Sequence, residues 1–281
     1  MSRKILFGFL FICFSMSSTP LFAQNYEKEF ESVFAWEVKQ IDEFIERFNN
    51  KDETLIKQYE LKNNDKKTIT REKLIKSLFD MSSTESWNFG DLNSFIKTVM
   101  EKNIYLNFYN KDWYAKVDCS IQWNGKPARA ALILKLMVLP DSSSKWVIAG
   151  VSSPVLRSAT LGSISLPAAA DKKASLNPVS HATDFMNISA VTDNIANLKN
   201  YFVPVNELNE EGKLFLQECA DKRLTIKGAN SISYHFLQLD NWIVEVRQFN
   251  RQTKNSGWLI SKLTKATDSE KNAYRTKQLM Q

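Results

Sequence analysis

The chain has 281 residues, is 43% apolar and 24% charged, and carries a formal net charge of +6. That composition is globular and excludes disordered and fibrous classes. Its 8 glycines never write G-x-G, and His181 and His235 are its only histidines, so a glycine-rich phosphate loop and a histidine-built metal site are excluded and no cofactor is expected.

Residues 1–23 read as a secretory signal. Arg3 and Lys4 precede an apolar run from Ile5 to Phe14, and Ser17, Ser18, Thr19 and Pro20 lead to Leu21-Phe22-Ala23, with cleavage after Ala23. The run is too short for a comfortable membrane-spanning helix. Ile12 stands before Cys13 where a lipidated cysteine needs a small residue, so lipidation is rejected. Export to a periplasm or beyond the cell is the expectation. Loss of Arg3 and Lys4 lowers the net charge to +4. The remaining excess lies in short clusters at Lys66-Lys67, Lys172-Lys173 and from Lys262 to Lys277, which read as solvated surface and not as a nucleic-acid footprint. Cys119 and Cys219 are expected as two separately buried thiols, although export would permit a bridge.

Apolar residues at Phe30, Phe34, Val38, Ile41, Ile45 and Phe48 predict one long helix from Tyr26 to about Asn50. A polar stretch follows (57–67), then a second helix opens at Thr70 and runs through Leu74, Ile75, Leu78 and Phe79. A third spans about Asp91 to Lys102. The period then changes to two. Trp113, Ala115, Val117, Cys119, Ile121 and Trp123 alternate with polar residues, and Asn124-Gly125 is a two-residue hairpin turn. Pairing Trp123 with Lys126 sets Ile121 against Ala128 and Cys119 against Ala130, which puts both apolar sets on one face. A further strand runs from Lys145 to Val151.

Residues 153–180, with Pro154, Pro167 and Pro178, read as a surface linker holding at most one short strand near Leu161 to Leu166. Beyond it, one helix is predicted from Phe185 to Tyr201 and another from Glu207 to Asp221. Strands follow at Arg223 to Lys227, Ser231 to Leu239, Trp242 to Asn250 and Gly257 to Leu263. A shift of 120 superposes Phe95 on Phe215, Ile96 on Leu216 and Tyr114 on Tyr234, and a shift of 112 puts Trp146 on Trp258. Duplication is the reading, with a domain at 24–152, a second at 181–265 and a Lys-rich tail at 266–281.

Helices first, then a long antiparallel hairpin and a Trp-bearing third strand: this order resembles the nuclear transport factor 2-like superfamily. The fold class expected is therefore α+β, two tandem modules of helices on a curved antiparallel sheet, the second abbreviated and also similar to the cystatin-like type. The resemblance implies helices on the concave side of a bent sheet enclosing a pocket. Catalytic members place acids and tyrosines there, but no such set is carried over onto this sequence. Asp118 falls on the polar face of its strand and points outward by alternation.

Among candidate site residues His235 stands first. With Asp240-Asn241 as a two-residue turn it faces Val246 on the apolar side, near Ser233 and Gln248, where an imidazole can act as acid or base, although a hydrogen-bonded, partly buried ring is the plainer reading. A one-residue slip in register would carry it to the other face. Ser180, His181 and Asp184 hold the letters of a triad, but adjacency is no evidence for one, and Thr183 or Asp184 serves better as a helix cap. The Asn187-Ile188-Ser189 glycosylation sequon is common by chance. Trp113, Trp123 and Trp242 complete the candidate ligand-binding set with His235 and Gln248, although core packing against the sheet is the default reading for tryptophans. The expected function is a non-catalytic exported binding or scaffolding protein. It would use the concave sheet or an inter-domain groove for a protein partner or small apolar ligand. The alternative is a pocket enzyme of isomerase or hydrolase type with its acid/base at His235, and a tail that touches an anionic membrane is a third reading.

Overall fold

The computed structural model describes residues 38–50, 70–82, 87–140, 142–164, 166, 169, 171, 174–176, 185–251 and 256–279. The expected signal, most of the first helix, the polar stretch at 57–67, and His181 with its neighbours lie outside those residues. Three helices come first: α1 (Ile41–Asn49), α2 (Arg71–Ser77) and α3 (Phe89–Glu101). Their stripes face inward, burying Ile41, Phe44, Ile45 and Phe48 from α1 and Leu92, Phe95, Ile96 and Val99 from α3. The cap of α3 is Asn88, whose side chain accepts from the backbone N–H of Gly90 and Asp91, so the helix starts two residues before the predicted position.

Three strands follow, β1 (Trp113–Trp123), β2 (Lys126–Val138) and β3 (Ser144–Ser152). Asn124 and Gly125 both take positive φ, 49° and 76°, as a tight hairpin turn requires. The register is the one the alternation demands, with Trp123 opposite Lys126 and Cys119 opposite Ala130. The connector after β3 is not wholly superficial, because Leu156 and Leu176 are fully buried. Residues 161–164 form no strand.

The helix predicted from Phe185 to Tyr201 is instead a series of short turns that includes α4 (Ala190–Asp193) and α5 (Leu198–Tyr201). Asn194 adopts an extended backbone between them and breaks the path, while Phe185, Ile188, Val191 and Leu198 are still buried. Next come α6 (Glu210–Ala220), β4 (Leu224–Phe236), β5 (Trp242–Phe249), β6 (Gly257–Lys265) and α7 (Asp268–Tyr274), with one π turn at Arg275–Leu279. The two strands expected at 223–239 are one strand, which stays continuous through two bulges against β1.

All six strands form one antiparallel sheet in the order β3-β2-β1-β4-β5-β6. One hydrophobic core occupies its inner face and draws on both halves of the chain. The sheet is curled so far that Trp146, on one edge strand, and Trp258, on the other, both touch the ring of Tyr234, at 6.2 and 4.9 Å. Each edge is partly covered by two isolated bridges. Leu176 and Phe202 meet β3, and Val38 and Phe79 meet β6, which shortens the edge on which another chain could pair. At Gly257 the close approach dictates the residue, since its φ is 88° and a Cβ would lie 2.1 Å from the Val38 carbonyl oxygen.

The halves exchange their helices. Phe44 of α1 stacks on Phe236, Phe95 of α3 meets Trp242, and Phe79 bridges Ile260, so the first-half helices cover second-half strands. In return Phe202 bridges Ile148, and the side chain of Asn209, the cap of α6, both donates to and accepts from the backbone of Val151. The equation of Tyr114 with Tyr234 fails in the sheet. Tyr114 lies on the outer face and Tyr234 in the inner core. Eleven residues separate α3 from β1 but three separate α6 from β4, so a shift that fits the helices cannot fit the strands.

Candidate functional site

The outer face of the sheet carries the polar members of each alternation, and there the described residues build a cleft rich in ionisable side chains. Lys116 and Asp118 come from β1, Ser231, Ser233 and His235 from β4, Glu245 and Arg247 from β5, and Lys262 from β6. Tyr274, Gln278 and Leu279 from the C-terminal segment close one side, around a volume of about 220 Å3.

His235 reaches this face because the register differs from the one predicted. The β4–β5 connection spans Leu237 to Asn241, with the Trp242 N–H donating to the Leu239 carbonyl and Asn241 at φ 61°. His235 therefore pairs with Glu245, and Tyr234 takes the place opposite Val246. A slip of one residue inverts the face. The imidazole is nevertheless only 4% exposed, since α7 lies over it. The Tyr274 hydroxyl is 2.8 Å from its Nδ1, and the Ser233 hydroxyl is 2.9 Å from its Nε2. A neutral ring donates at one nitrogen and accepts at the other, so Tyr274, His235 and Ser233 form a single hydrogen-bonded chain.

Burial lowers the His235 pKa to about 4, against the opposing pull of Glu245 and with help from Lys116, Arg247 and Lys262. Burial also raises the Tyr274 hydroxyl to about 12, with Glu245 adding to the effect. Near neutral pH the floor of the cleft is thus an uncharged imidazole and an uncharged phenol, ringed by fixed charges. Arg247 Nε donates to Glu245 Oε1 at 2.5 Å, and the Ser231 hydroxyl donates to Asp118 Oδ2 at 2.8 Å. Asp118 is exposed, as alternation requires.

The sequence-derived candidates are not brought together. Trp113 and Trp242 are buried on the inner face, where Trp113 stacks on Phe236 and Trp242 meets Phe95 edge-on. Trp123 is half-buried at the hairpin end, its indole N–H donating to Glu218 at 2.7 Å, and Gln248 is exposed near the end of β5. These tryptophans pack core and helix, not a shared ligand wall. Residues that do surround His235, namely Lys116, Glu245, Arg247, Lys262 and Tyr274, were passed over as ordinary polar positions. For Lys116, Glu245, Arg247 and Lys262 the signal is their place on the polar side of β1, β5 and β6, whereas Tyr274, on α7, has none.

Both described cysteines are free and buried. Burial pushes the Cys119 thiol up to about 12 and raises that of Cys219 as well, so both stay protonated and unreactive. Among the described residues no group of three or more His, Cys, Asp or Glu side chains is placed to hold a metal ion, and no helix is long and apolar enough to cross a membrane. A scan against protein-family models and searches of curated proteins and of solved structures each found no match.

Proposed function

We propose that the chain is an exported, non-catalytic binding protein on a duplicated nuclear transport factor 2-like scaffold, and that it holds its ligand in the outer-face cleft above His235. The observation that carries the reading is the cleft itself: fixed charges on β1, β5 and β6 converge over a buried neutral floor. The inner face is an unfavourable alternative, because Trp113, Trp146, Trp258 and Tyr234 are fully buried there and pack ring on ring. Duplication is supported by helices preceding each three-strand meander, by Trp146 and Trp258 on the two third strands, and by the parallel bridges of Phe202 and Phe79 to β3 and β6. A general acid or base works best with a pKa near the operating pH, and an imidazole at about 4 is far from neutral, which favours binding over the isomerase or hydrolase reading.

Native mass spectrometry of the mature protein purified from its source tests this. A bound adduct is expected, and the double variant Lys116→Glu with Lys262→Glu should lose it while keeping its circular dichroism spectrum. An adduct that survives the double variant, or none in the wild type, would overturn the proposal.

A further inference from the structure

We propose that the outer face takes an extended acidic peptide, laid along β1 and β4 from the hairpin tip to the C-terminal helix; this rests on the binding reading above. The cleft over His235 is the last of three adjoining hollows. The middle one, about 350 Å3, shares Asp118 and Ser231 with it, and the third, about 420 Å3, shares Arg129 with the middle one and reaches Gln122 and Lys227. The shared lining residues set the three hollows side by side along the outer face, as a trough for one extended segment.

The strand register sets the spacing of charge along it. Arg129 lies opposite Ser120, which lies opposite Gly228, beside Lys227 at the bulge. Four residues away along β1 stands Lys116, opposite Ser233, which in turn faces Arg247. At about 3.4 Å per residue the two basic groups are roughly 14 Å apart. An extended peptide advances at the same rate and presents residues i, i+2 and i+4 on one side. Acidic residues at i and i+4 would therefore reach both groups. Asp118, fixed between them by Ser231, selects an uncharged residue at i+2. Among the described residues Lys116, Arg129, Lys227 and Lys262 make no ion pair, so their charge is free for a partner. Among the described residues the aromatic rings lining the trough are Tyr274 and the buried His235, tied to each other by a hydrogen bond, so its walls offer no open stacking platform for nucleic-acid bases or sugar rings.

The test uses the full mature protein and fluorescein-labelled nonapeptides in a Ser/Gly background, read by fluorescence anisotropy at low and high salt. One probe has Glu at positions 3 and 7, the other at 4 and 5. The spaced probe should bind about tenfold more tightly, and added salt should weaken it. The pairs Arg129→Gln with Lys227→Gln, and Lys116→Gln with Lys262→Gln, should each cost about tenfold without lowering the melting temperature, since none of the four side chains is buried and none makes an ion pair among the described residues. Equal binding of the two probes, variants that bind like wild type, or tighter binding of a heparin fragment or single-stranded oligonucleotide would overturn the proposal. A source adduct lost on Lys116→Glu with Lys262→Glu, together with no peptide binding, would remove the acidic peptide and keep the cleft.

Discussion

Burial holds the His235 imidazole neutral, with its pKa lowered from 6.5 to about 4. The sign of the consequence follows from proton counting. Between those two values the unfolded chain binds a proton that the folded chain refuses, so stability is complete above pH 6.5 and falls as the pH drops towards 4. The full loss is about 3 kcal/mol. Replacing His235 by Gln keeps a side chain that can reach Ser233 and Tyr274 but removes the titration. Urea unfolding across pH 4–7 should show wild type losing about 3 kcal/mol more than His235→Gln, and parallel curves would contradict the burial. A second residue-scale case is Glu218 on α6. Its carboxylate accepts two bonds from Arg223, at 2.6 and 2.9 Å, and one from the Trp123 indole, and the Arg223 hydrogen bond leads the lowering of its pKa. Glu218→Ala should cost about 2 kcal/mol in urea unfolding, by freeing a half-buried indole N–H and loosening α6 from the hairpin.

At the scale of elements, turn chemistry decides what could be read ahead of the structure. The β1–β2 hairpin was legible because Asn124-Gly125 fixes a two-residue turn and two apolar alternations then agree on one register. The β4–β5 turn was not. Asp240-Asn241 imitates a tight turn, but the chain closes around Leu239 to Trp242, and the single residue of difference carries His235 from the inner to the outer face. Nothing in a strand's alternation reveals that a distant C-terminal helix will bury the polar face, which is why Tyr274 escaped notice. The break in the helix predicted at 185–201 has a similar cause: its apolar spacing is met by short turns that bury the same residues. Asn209 illustrates an element held from outside, since it caps α6 and also pairs with Val151 at the end of β3. Asn209→Ala should therefore cost about 2 kcal/mol, more than a lone cap is worth, as measured by chemical denaturation.

On the scale of the whole molecule, the boundary expected at 153–180 does not separate two bodies. β1 pairs with β4 along their length, one core serves both halves, and each half's helices cover the other's strands. Residues 24–152 made alone should expose Trp113 and the inner face of β1 and fail to give a cooperative thermal transition. Mixing them with residues 153–281 should restore that transition. A cooperative 24–152 fragment would refute the exchange.

The same architecture leaves the outer face as the one that faces solvent, and the central claim is that ligand binds there. Hydrogen–deuterium exchange of the adduct-carrying protein against the same protein stripped of its adduct tests it most directly. Protection is predicted in residues 114–122, 127–131, 227–235, 245–247, 260–264 and 270–279, and nowhere else to a comparable degree. Protection confined to α1, α2 and α3, or no difference between the two samples, would contradict the account.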